Sequence, residues 1–372
     1  MLFTSGATGP SKGVCYEHGM FISQCERIKK QYGIKPGEID LPMLPVFSLF
    51  NPALGMTTVV PEMNPSKPAK ASARKLVQDI QEFGVTNSFG SPVLWDKISR
   101  YCLKKGIKLK GLKRVLAAGA PVSAQIIEQM NEVMPNGELH TPYGATESLP
   151  VSSIDGATVL SYSKEKSLKG EGTCVGKVLD NVEARIIQVV EGVIVNIENT
   201  KTLPVGEIGE IIVKADFVTK EYYNIPEKTA EAKIKGGPDL WHRIGDMGYF
   251  DEKGYLWFCG RKSERVIMKD GVLYTDLCEG IINKNKRVYR SALIGLGKPG
   301  KQIPAIVIEP EKACYPKTAE ALEAFKRNVL AVMITEDMLK DIRQIYFKRK
   351  LPVDVRHNAK INRLKLAKEF SA

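Results

Sequence analysis

The sequence lacks the features that mark membrane-spanning, secreted and disulfide-rich proteins. Its 372 residues contain no uncharged apolar run of about 18 residues, which a membrane-spanning helix requires. The first residues show no basic stretch followed by an apolar core, so we expect no secretory signal. The seven cysteines include no Cys-x-x-Cys pair, which argues against a disulfide framework or a structural zinc site. We therefore expect a protein of the reducing cytoplasm without a transmembrane segment.

The charge balance is the next constraint. A net charge of +12 favours anionic partners, which include nucleotides, acyl carboxylates, nucleic acid and membrane surfaces. Basic residues are concentrated after residue 340, where a solvated basic face is the simplest interpretation. No stretch interleaves aromatic and basic residues in a nucleic-acid motif, so no nucleic-acid partner is expected.

The chain length predicts about two domains, and the apolar pattern changes along the chain from one type of secondary structure to another. Up to residue 150, strands alternate with helices, which predicts a parallel α/β sheet. Residues 41–60 are apolar but broken by prolines, and we predict buried loop and strand lining a pocket rather than one helix. After residue 150, alternating segments with hairpin turns predict antiparallel strands. From about residue 264, the pattern predicts a small α+β unit that ends in a helix.

The stretch TSGATGPSKG, residues 4–13, has the chemistry of a phosphate-binding loop. It is not a Walker A sequence, because Lys12 is followed by Gly13 and not by Ser or Thr. Hydroxyls, exposed N–H groups and one lysine can nonetheless bind a triphosphate. The alternative is a polar, turn-rich leader. The candidate phosphate ligands are Thr4, Ser5, Gly6, Thr8, Gly9 and Lys12.

A second motif, TPYGATES, spans residues 141–148. Tyr143 can stack on a flat base, and Gly144 permits close approach of the backbone. Thr146 can bond a phosphate, and Glu147 offers the hard oxygen ligand that Mg²⁺ prefers. The alternative is a strand end with an exposed acid.

Two later motifs add a carboxylate and a lysine. In RIGDMGYFDEKGYLWFCGRK, Asp246 is placed to bond two ribose hydroxyls and Arg261 to reach the same ribose or a phosphate. Asp251 is more simply a turn residue. In RHNAKINR, Lys360 lies just before a terminal helix, and alone it would be interpreted as a solvated lysine.

In order and spacing these motifs resemble those of the adenylate-forming superfamily, which includes acyl-CoA synthetases, luciferases and nonribosomal adenylation domains. LAAGAPVS, residues 116–123, resembles the superfamily's adenine-side segment, and the resemblance covers essentially the whole chain. It implies an α/β adenylate-forming fold. A partial large N-terminal α/β domain with an antiparallel lobe would occupy residues 1–262, and a small mobile α+β cap residues 263–372.

The resemblance also implies a role for each matching residue. Lys12, Thr4, Ser5 and Thr8 would hold the pyrophosphate end of ATP, with Gly6 and Gly9 in the same loop. Gly119, Ala120 and Tyr143 would flank adenine, next to Gly144. Thr146 would contact the α-phosphate, Glu147 the Mg²⁺, and Asp246 and Arg261 the ribose. Lys360 would act in adenylation, and Ser263 occupies the hinge position. The catalytic set is therefore Lys360, Lys12, Glu147 and Thr146.

Within the superfamily, the local sequence is most similar to the branch that makes β-lactones in bacterial long-chain olefin biosynthesis, often labelled fatty-acid CoA ligases. Ser48 stands where many relatives have His, and Ala359 where most have Gly. The branch implies adenylation of a long-chain 2-alkyl-3-hydroxy fatty acid and closure to a β-lactone, with neighbouring olefin-pathway enzymes as partners. The alternative is a long-chain acyl-CoA synthetase that uses coenzyme A. Since superfamily members carry over a hundred residues before the phosphate loop, a second alternative is an inactive, truncated fragment.

Overall fold

The computed structural model describes residues 1–4, 10–65, 67–354 and 360–371. Its helices are α1 (His18–Tyr32), α2 (Asn51–Leu54), α3 (Ala73–Glu82), α4 (Pro92–Lys105), α5 (Ala124–Val133), α6 (Gly156–Thr158), α7 (Lys164–Leu168), α8 (Pro226–Ala232), α9 (Thr275–Ile282), α10 (Ala319–Ile334) and α11 (Arg363–Phe370). Short 3-10 turns lie at Pro45–Phe50, Pro68–Lys70, Ile197–Asn199, Lys262–Glu264 and Lys312–Cys314, and a π turn at Val159–Ser163.

The strands of the described chain belong to a large sheet, a smaller sheet and two short hairpins. They are β1 (Leu2–Phe3), β2 (Gly13–Val14), β3 (Ile39–Asp40), β4 (Thr57–Thr58), β5 (Asn87–Gly90), β6 (Arg114–Ala117), β7 (Glu138–Ala145), β8 (Ser148–Asp155), β9 (Thr173–Val178), β10 (Glu183–Ile187), β11 (Gly209–Lys214), β12 (Lys233–Gly236), β13 (Asp239–Phe250), β14 (Leu256–Arg261), β15 (Val266–Ile267), β16 (Val272–Leu273), β17 (Val288–Leu296), β18 (Ile303–Pro310) and β19 (Gln344–Phe347).

One half of the large sheet is parallel, in the order β4-β3-β5-β6-β7. Every residue of β5 and β6 is buried, as expected for parallel strands that are covered by helices on both faces. Val115 packs into the core with α3, α4 and α5, whereas the next residue, Leu116, packs into the core with α1. The strand–helix alternation of the sequence therefore becomes a doubly covered sheet.

The other half of the same sheet is antiparallel. From β7 it continues through β8, β9, β14, β13, β11 and β10, and β12 pairs with β13. Because the two halves share β7 and β8, the β7–β8 hairpin lies where parallel and antiparallel strands meet. This junction brings motifs that are a hundred residues apart onto one sheet.

The last part of the chain forms a three-stranded sheet, β17-β18-β19, with α9, α10 and α11. Along β18, Ile306 and Ile308 pack into one core with α10, whereas Ala305 and Val307 pack into another with α11. This alternation is the period-two pattern of a strand with helices on both faces. The predicted α/β fold with an antiparallel lobe and a small α+β unit is confirmed; the division at residues 262/263 stays a prediction.

Residues 41–60 correct one expectation. They line a cleft and do not form one helix, as predicted, but residues 45–54 are helical turns rather than loop and strand. Pro45 and Pro52 lie in the first turns of these short helices, where the missing N–H costs no hydrogen bond. These two prolines therefore start short helices as well as preventing one long helix. No helix of the described ranges is both long and apolar enough to cross a bilayer.

Candidate active site

A single cleft of ≈ 2730 Å³ runs between the large sheet and the C-terminal unit. It brings together every predicted site residue that the structure describes. These are Thr4, Lys12, Gly119, Ala120, Tyr143, Gly144, Thr146, Glu147, Asp246, Arg261, Ser263 and Lys360. The predicted ligands Ser5, Gly6, Thr8 and Gly9 lie outside the described residues.

Asp246 and Arg261 form the first cluster of the cleft. They lie directly opposite each other on β13 and β14, and Arg261 Nη1 is 2.5 Å from Asp246 Oδ1. Tyr143 donates its hydroxyl to Asp246 Oδ2 at 2.7 Å. Burial and the nearby carboxylate raise the pKa of Tyr143 well above its usual value, so it stays a hydroxyl donor. Asp246 is therefore a carboxylate with both oxygens oriented by neighbours.

Glu147 forms the second cluster, at the start of β8. Its side chain is buried, and its Oε1 accepts a hydrogen bond from the Tyr222 hydroxyl at 2.5 Å. Lys12 Nζ donates to the same hydroxyl at 3.1 Å and lies 4.1 Å from the centre of the Tyr222 ring. Burial lowers the pKa of Lys12, while the Glu147 charge opposes that shift. Tyr222 thus connects the lysine of one motif to the carboxylate of another.

The conformation of the β7–β8 hairpin requires a glycine. Gly144 has φ 158° and a Cβ there would lie 2.4 Å from the carbonyl oxygen of Ser148. Any side chain at residue 144 would therefore push the two strands apart. Thr146 is held in the same turn, because its carbonyl accepts a hydrogen bond from the Tyr16 hydroxyl.

Lys233 lies behind Glu147, and sequence reasoning did not identify it. It starts β12, is 8% exposed, and its Nζ lies 3.5 Å from Thr219 Oγ1. Thr219 in turn donates its N–H and hydroxyl to the Glu147 carbonyl. Burial lowers the pKa of Lys233 to about 7, against the attraction of Glu147. Its paired residue on β13 is His242, whose pKa burial also lowers.

An aromatic wall closes another part of the cleft. The Phe47 ring stacks on Phe89 with centroids 3.5 Å apart, and Phe50 stacks on Phe21 at 5.0 Å. Phe47, Phe50 and Phe89 all line the cleft. Ser48, in the same turn, donates its hydroxyl to the Pro45 carbonyl at 2.7 Å, so it has a local structural partner.

Ser263 lies in the 3-10 turn Lys262–Glu264, between the large sheet and the C-terminal unit. Lys262 anchors one side of this turn, because its Nζ donates to the Val190 carbonyl at 2.6 Å and to Glu210 at 3.0 Å. Lys360 lines the cleft from the C-terminal side, and its N–H donates to Asp354 Oδ1 at 2.8 Å.

The residues of the cleft fit a magnesium ion only together with phosphates. Among the described residues, no three His, Cys, Asp or Glu side chains converge on one metal position. Glu147 is a buried carboxylate that lines the cleft near Lys12. Mg²⁺ is commonly bound by one or two carboxylates plus substrate phosphates. This donor set is therefore compatible with an ion that binds along with a nucleotide.

Comparison with known proteins gives one family. The AMP-binding enzyme model matches residues 1–223. The chain is 41% identical to the olefin β-lactone synthetase of Xanthomonas campestris over 374 residues, which cover 99% of this chain and 66% of that protein. It is also 41% identical to the olefin β-lactone synthetase of Stenotrophomonas maltophilia, over 100% of this chain and 67% of the relative. The chain thus spans about two thirds of the length of these relatives.

Solved structures of the same fold include o-succinylbenzoate coenzyme A synthetase of Bacillus subtilis in complex with ATP and a magnesium ion. Its TM-score is 0.75 at 22% identity, covering 98% of this chain and 69% of that one. At this identity the likeness shows the fold alone. The predicted superfamily, and the resemblance to its lactone-forming branch, are confirmed by these comparisons.

Proposed function

This chain belongs to the AMP-binding enzyme family, and from that premise we propose that it activates a long-chain 2-alkyl-3-hydroxy fatty acid with ATP and closes it to a β-lactone. The observation that carries the proposal is one cleft that holds a nucleotide-type polar set beside an aromatic wall. The 41% identity to two olefin β-lactone synthetases supports the choice of reaction.

In the first step, a carboxylate oxygen of the acid attacks the α-phosphorus of ATP, and the bond to pyrophosphate breaks. The protein needs to supply position and charge rather than covalent chemistry. Lys12, together with Thr4, Ser5 and Thr8 of its loop, would hold the leaving phosphates. Thr146 would bond the α-phosphate.

The nucleoside would bind at the Asp246 cluster. Each carboxylate oxygen has two lone pairs, and Tyr143 and Arg261 each fill one position. Two acceptor positions are therefore left for two ribose hydroxyls. The Tyr143 ring, with Gly119 and Ala120, would flank the adenine.

Glu147 would hold a magnesium ion that binds along with the phosphates of ATP, and the ion would supply positive charge for the leaving pyrophosphate. Lys360 would stabilise the charge on the attacking carboxylate and the bridging oxygen. Both roles follow the family's motif positions and stay proposals for this chain.

In the second step, the 3-hydroxyl oxygen of the bound acyl group attacks its own carbonyl carbon. A C–O bond forms, the bond to AMP breaks, and the hydroxyl proton passes to a base or water. The apolar wall of Phe47, Phe50 and Phe89 would hold the alkyl chain. Enzymes that make the hydroxy acid and decarboxylate the lactone would act before and after this one.

The test is a product assay with Mg-ATP and a long-chain 2-alkyl-3-hydroxy acid, with and without coenzyme A, read by mass spectrometry. It uses this chain and the protein extended by any upstream coding sequence. A β-lactone without coenzyme A supports the proposal. A thioester formed only with coenzyme A indicates an acyl-CoA synthetase. AMP from the extended protein but not from this chain indicates an inactive fragment, and no AMP from either protein contradicts the proposal.

Two variants test the catalytic assignment in the same assay. Lys12→Ala and Glu147→Gln should each abolish pyrophosphate release, because each removes a charge that faces the phosphates. Lys30→Ala is the control, since this exposed lysine pairs only at the surface with Asp180. Pyrophosphate release retained by both cleft variants would contradict the assignment.

A further inference from the structure

We propose that Arg363 is a positioning residue that fixes the Lys360 segment to the chain just after the hinge. The inference rests on the proposed role of Lys360 in adenylation. It concerns how the protein holds that lysine, which neither the motif pattern nor the similarity to relatives specifies.

Arg363 is the first residue of α11 and makes a buried, three-bond ion-pair network. Its Nε and Nη2 donate to the two oxygens of Glu279 at 3.0 and 2.8 Å. Its Nη1 donates to Glu264 Oε2 at 2.7 Å. The three side chains are only 10–16% exposed. A planar guanidinium is the side chain that can satisfy two carboxylates in this fixed geometry.

Each carboxylate connects Arg363 to a different element. Glu279 belongs to α9, and its Oε1 also accepts the Leu293 N–H of β17 at 2.9 Å. Glu264 ends the 3-10 turn that contains Ser263. Lys262, the residue before Ser263, binds Glu210 of the large sheet. Glu264, the residue after Ser263, binds Arg363 of α11.

Lys360 is joined to Arg363 through a short, hydrogen-bonded stretch. The Lys360 N–H donates to Asp354 Oδ1, and the Lys360 carbonyl accepts from the Asp354 N–H at 2.9 Å. The Asn362 N–H donates to the Pro352 carbonyl at 2.8 Å. The backbone at Lys360 is therefore continuous with a segment whose position Arg363 fixes relative to Glu264.

Removing the guanidinium would leave two carboxylates facing each other without a cation. Glu264 would then lose its connection to α11, and Lys360 would no longer hold a fixed position relative to the hinge. A misplacement of about 1 Å can lower a rate roughly 100-fold. The loss should therefore appear in the adenylation rate and not in the affinity for ATP, whose other proposed ligands all precede Ser263 in the chain.

The experiment is a double-mutant cycle with Arg363→Met, Lys360→Ala and the double variant. Single-turnover pyrophosphate release gives the rate, and calorimetry gives the ATP Kd. We expect Arg363→Met alone to slow release about 10- to 100-fold. In the Lys360→Ala background it should add no further loss, because the lysine it positions is gone. Arg363→Lys, which keeps the charge but loses the fork, should recover only part of the rate.

Arg114→Met is the matched control. Arg114, the first residue of β6, makes a comparably buried ion pair with Glu38. The two side chains are 8–10% exposed, and the N···O distance is 2.8 Å. Arg114→Met should lower the Tm without slowing pyrophosphate release. The proposal would be overturned if Arg363→Met slowed pyrophosphate release by the same factor with Lys360 present and in Lys360→Ala. It would also be overturned if Arg114→Met slowed release as much as Arg363→Met, because either result would show a merely structural role.

Hydrogen exchange makes the result independent of the reaction. In Arg363→Met, exchange should rise together in residues 262–267 and 360–366, while β17 and β18 keep their protection. Unchanged exchange, or a rise in only one of the two segments, would refute the connection. If even the unmodified protein released no pyrophosphate, the proposed function would fail, and this measurement would still decide whether Arg363 connects the two segments.

Discussion

Replacing Asp246 by Asn should remove most nucleotide affinity without unfolding the protein. The carboxylate has about four acceptor positions, of which Tyr143 and Arg261 occupy two. An amide keeps one oxygen and turns a nitrogen toward the Arg261 guanidinium. Asp246→Asn therefore loses the charge and at least one acceptor that a ribose hydroxyl would use.

The magnitude follows from the bonds lost. A hydrogen bond to a charged group contributes about 1.5–3 kcal/mol, and the remaining amide oxygen retains part of the interaction. We expect a loss of about 2–4 kcal/mol, which is roughly 30- to 1000-fold in Kd. Because the Arg261 side chain is 37% exposed, water can solvate it, and the fold should tolerate the change.

The assay is calorimetric titration of AMP and of Mg-ATP, with thermal unfolding to verify the fold. Asp251→Asn is the matched control. Asp251 is an acid five residues after Asp246, and its hydrogen bonds hold the surrounding fold together. It accepts hydrogen bonds from Tyr162, Trp257, Lys253 and Tyr255. A Kd for AMP within about twofold of the unmodified protein in Asp246→Asn would refute the assigned ribose site.

Three further predictions follow from other parts of the structure. Asp251→Asn should lower the Tm by several degrees, because it loses charged bonds of about 1.5–3 kcal/mol each, while the AMP Kd stays unchanged; a lowered AMP affinity would contradict this. Phe47→Ala should raise KM about tenfold for long-chain acids and less for short ones, since it removes apolar wall; equal effects on both would argue against an alkyl site. Burial, with Glu279 nearby, raises the pKa of Asp276 to about 7, against the Thr173 hydrogen bond and the Arg363 charge. Asp276 should therefore contribute stability that is lost as the pH rises from about 4 to 7, and Asp276→Asn should remove this contribution from the pH dependence of the Tm; a pH dependence equal to that of the unmodified protein would refute it.

The sequence motifs predicted residues that, where the structure describes them, line one cleft, and their roles in catalysis stay predictions. The phosphate-loop composition, the Tyr-Gly-Ala-Thr-Glu run and the lysine before the last helix are each ambiguous alone, and only their order and spacing along the chain resemble one superfamily. The strand–helix alternation likewise predicted the parallel half of the sheet, because burial on both faces gives continuous apolar strands. The hydrogen bond from Tyr222 to Glu147 and the place of Lys233 behind it could not be predicted, since both depend on contacts between segments about 70 or more residues apart.

The sequence by itself determined the family, the order of the motifs and the alternation of elements, because these depend on neighbouring residues and on periods of two and 3.6. Only the tertiary structure decided which side chains meet. Asp246 faces Arg261 because β13 and β14 pair in one register, and Arg363 reaches Glu279 across 84 residues of chain. Such contacts depend on sheet register and on packing between distant segments, and a one-residue shift in register would turn a carboxylate such as Asp246 away from the cleft.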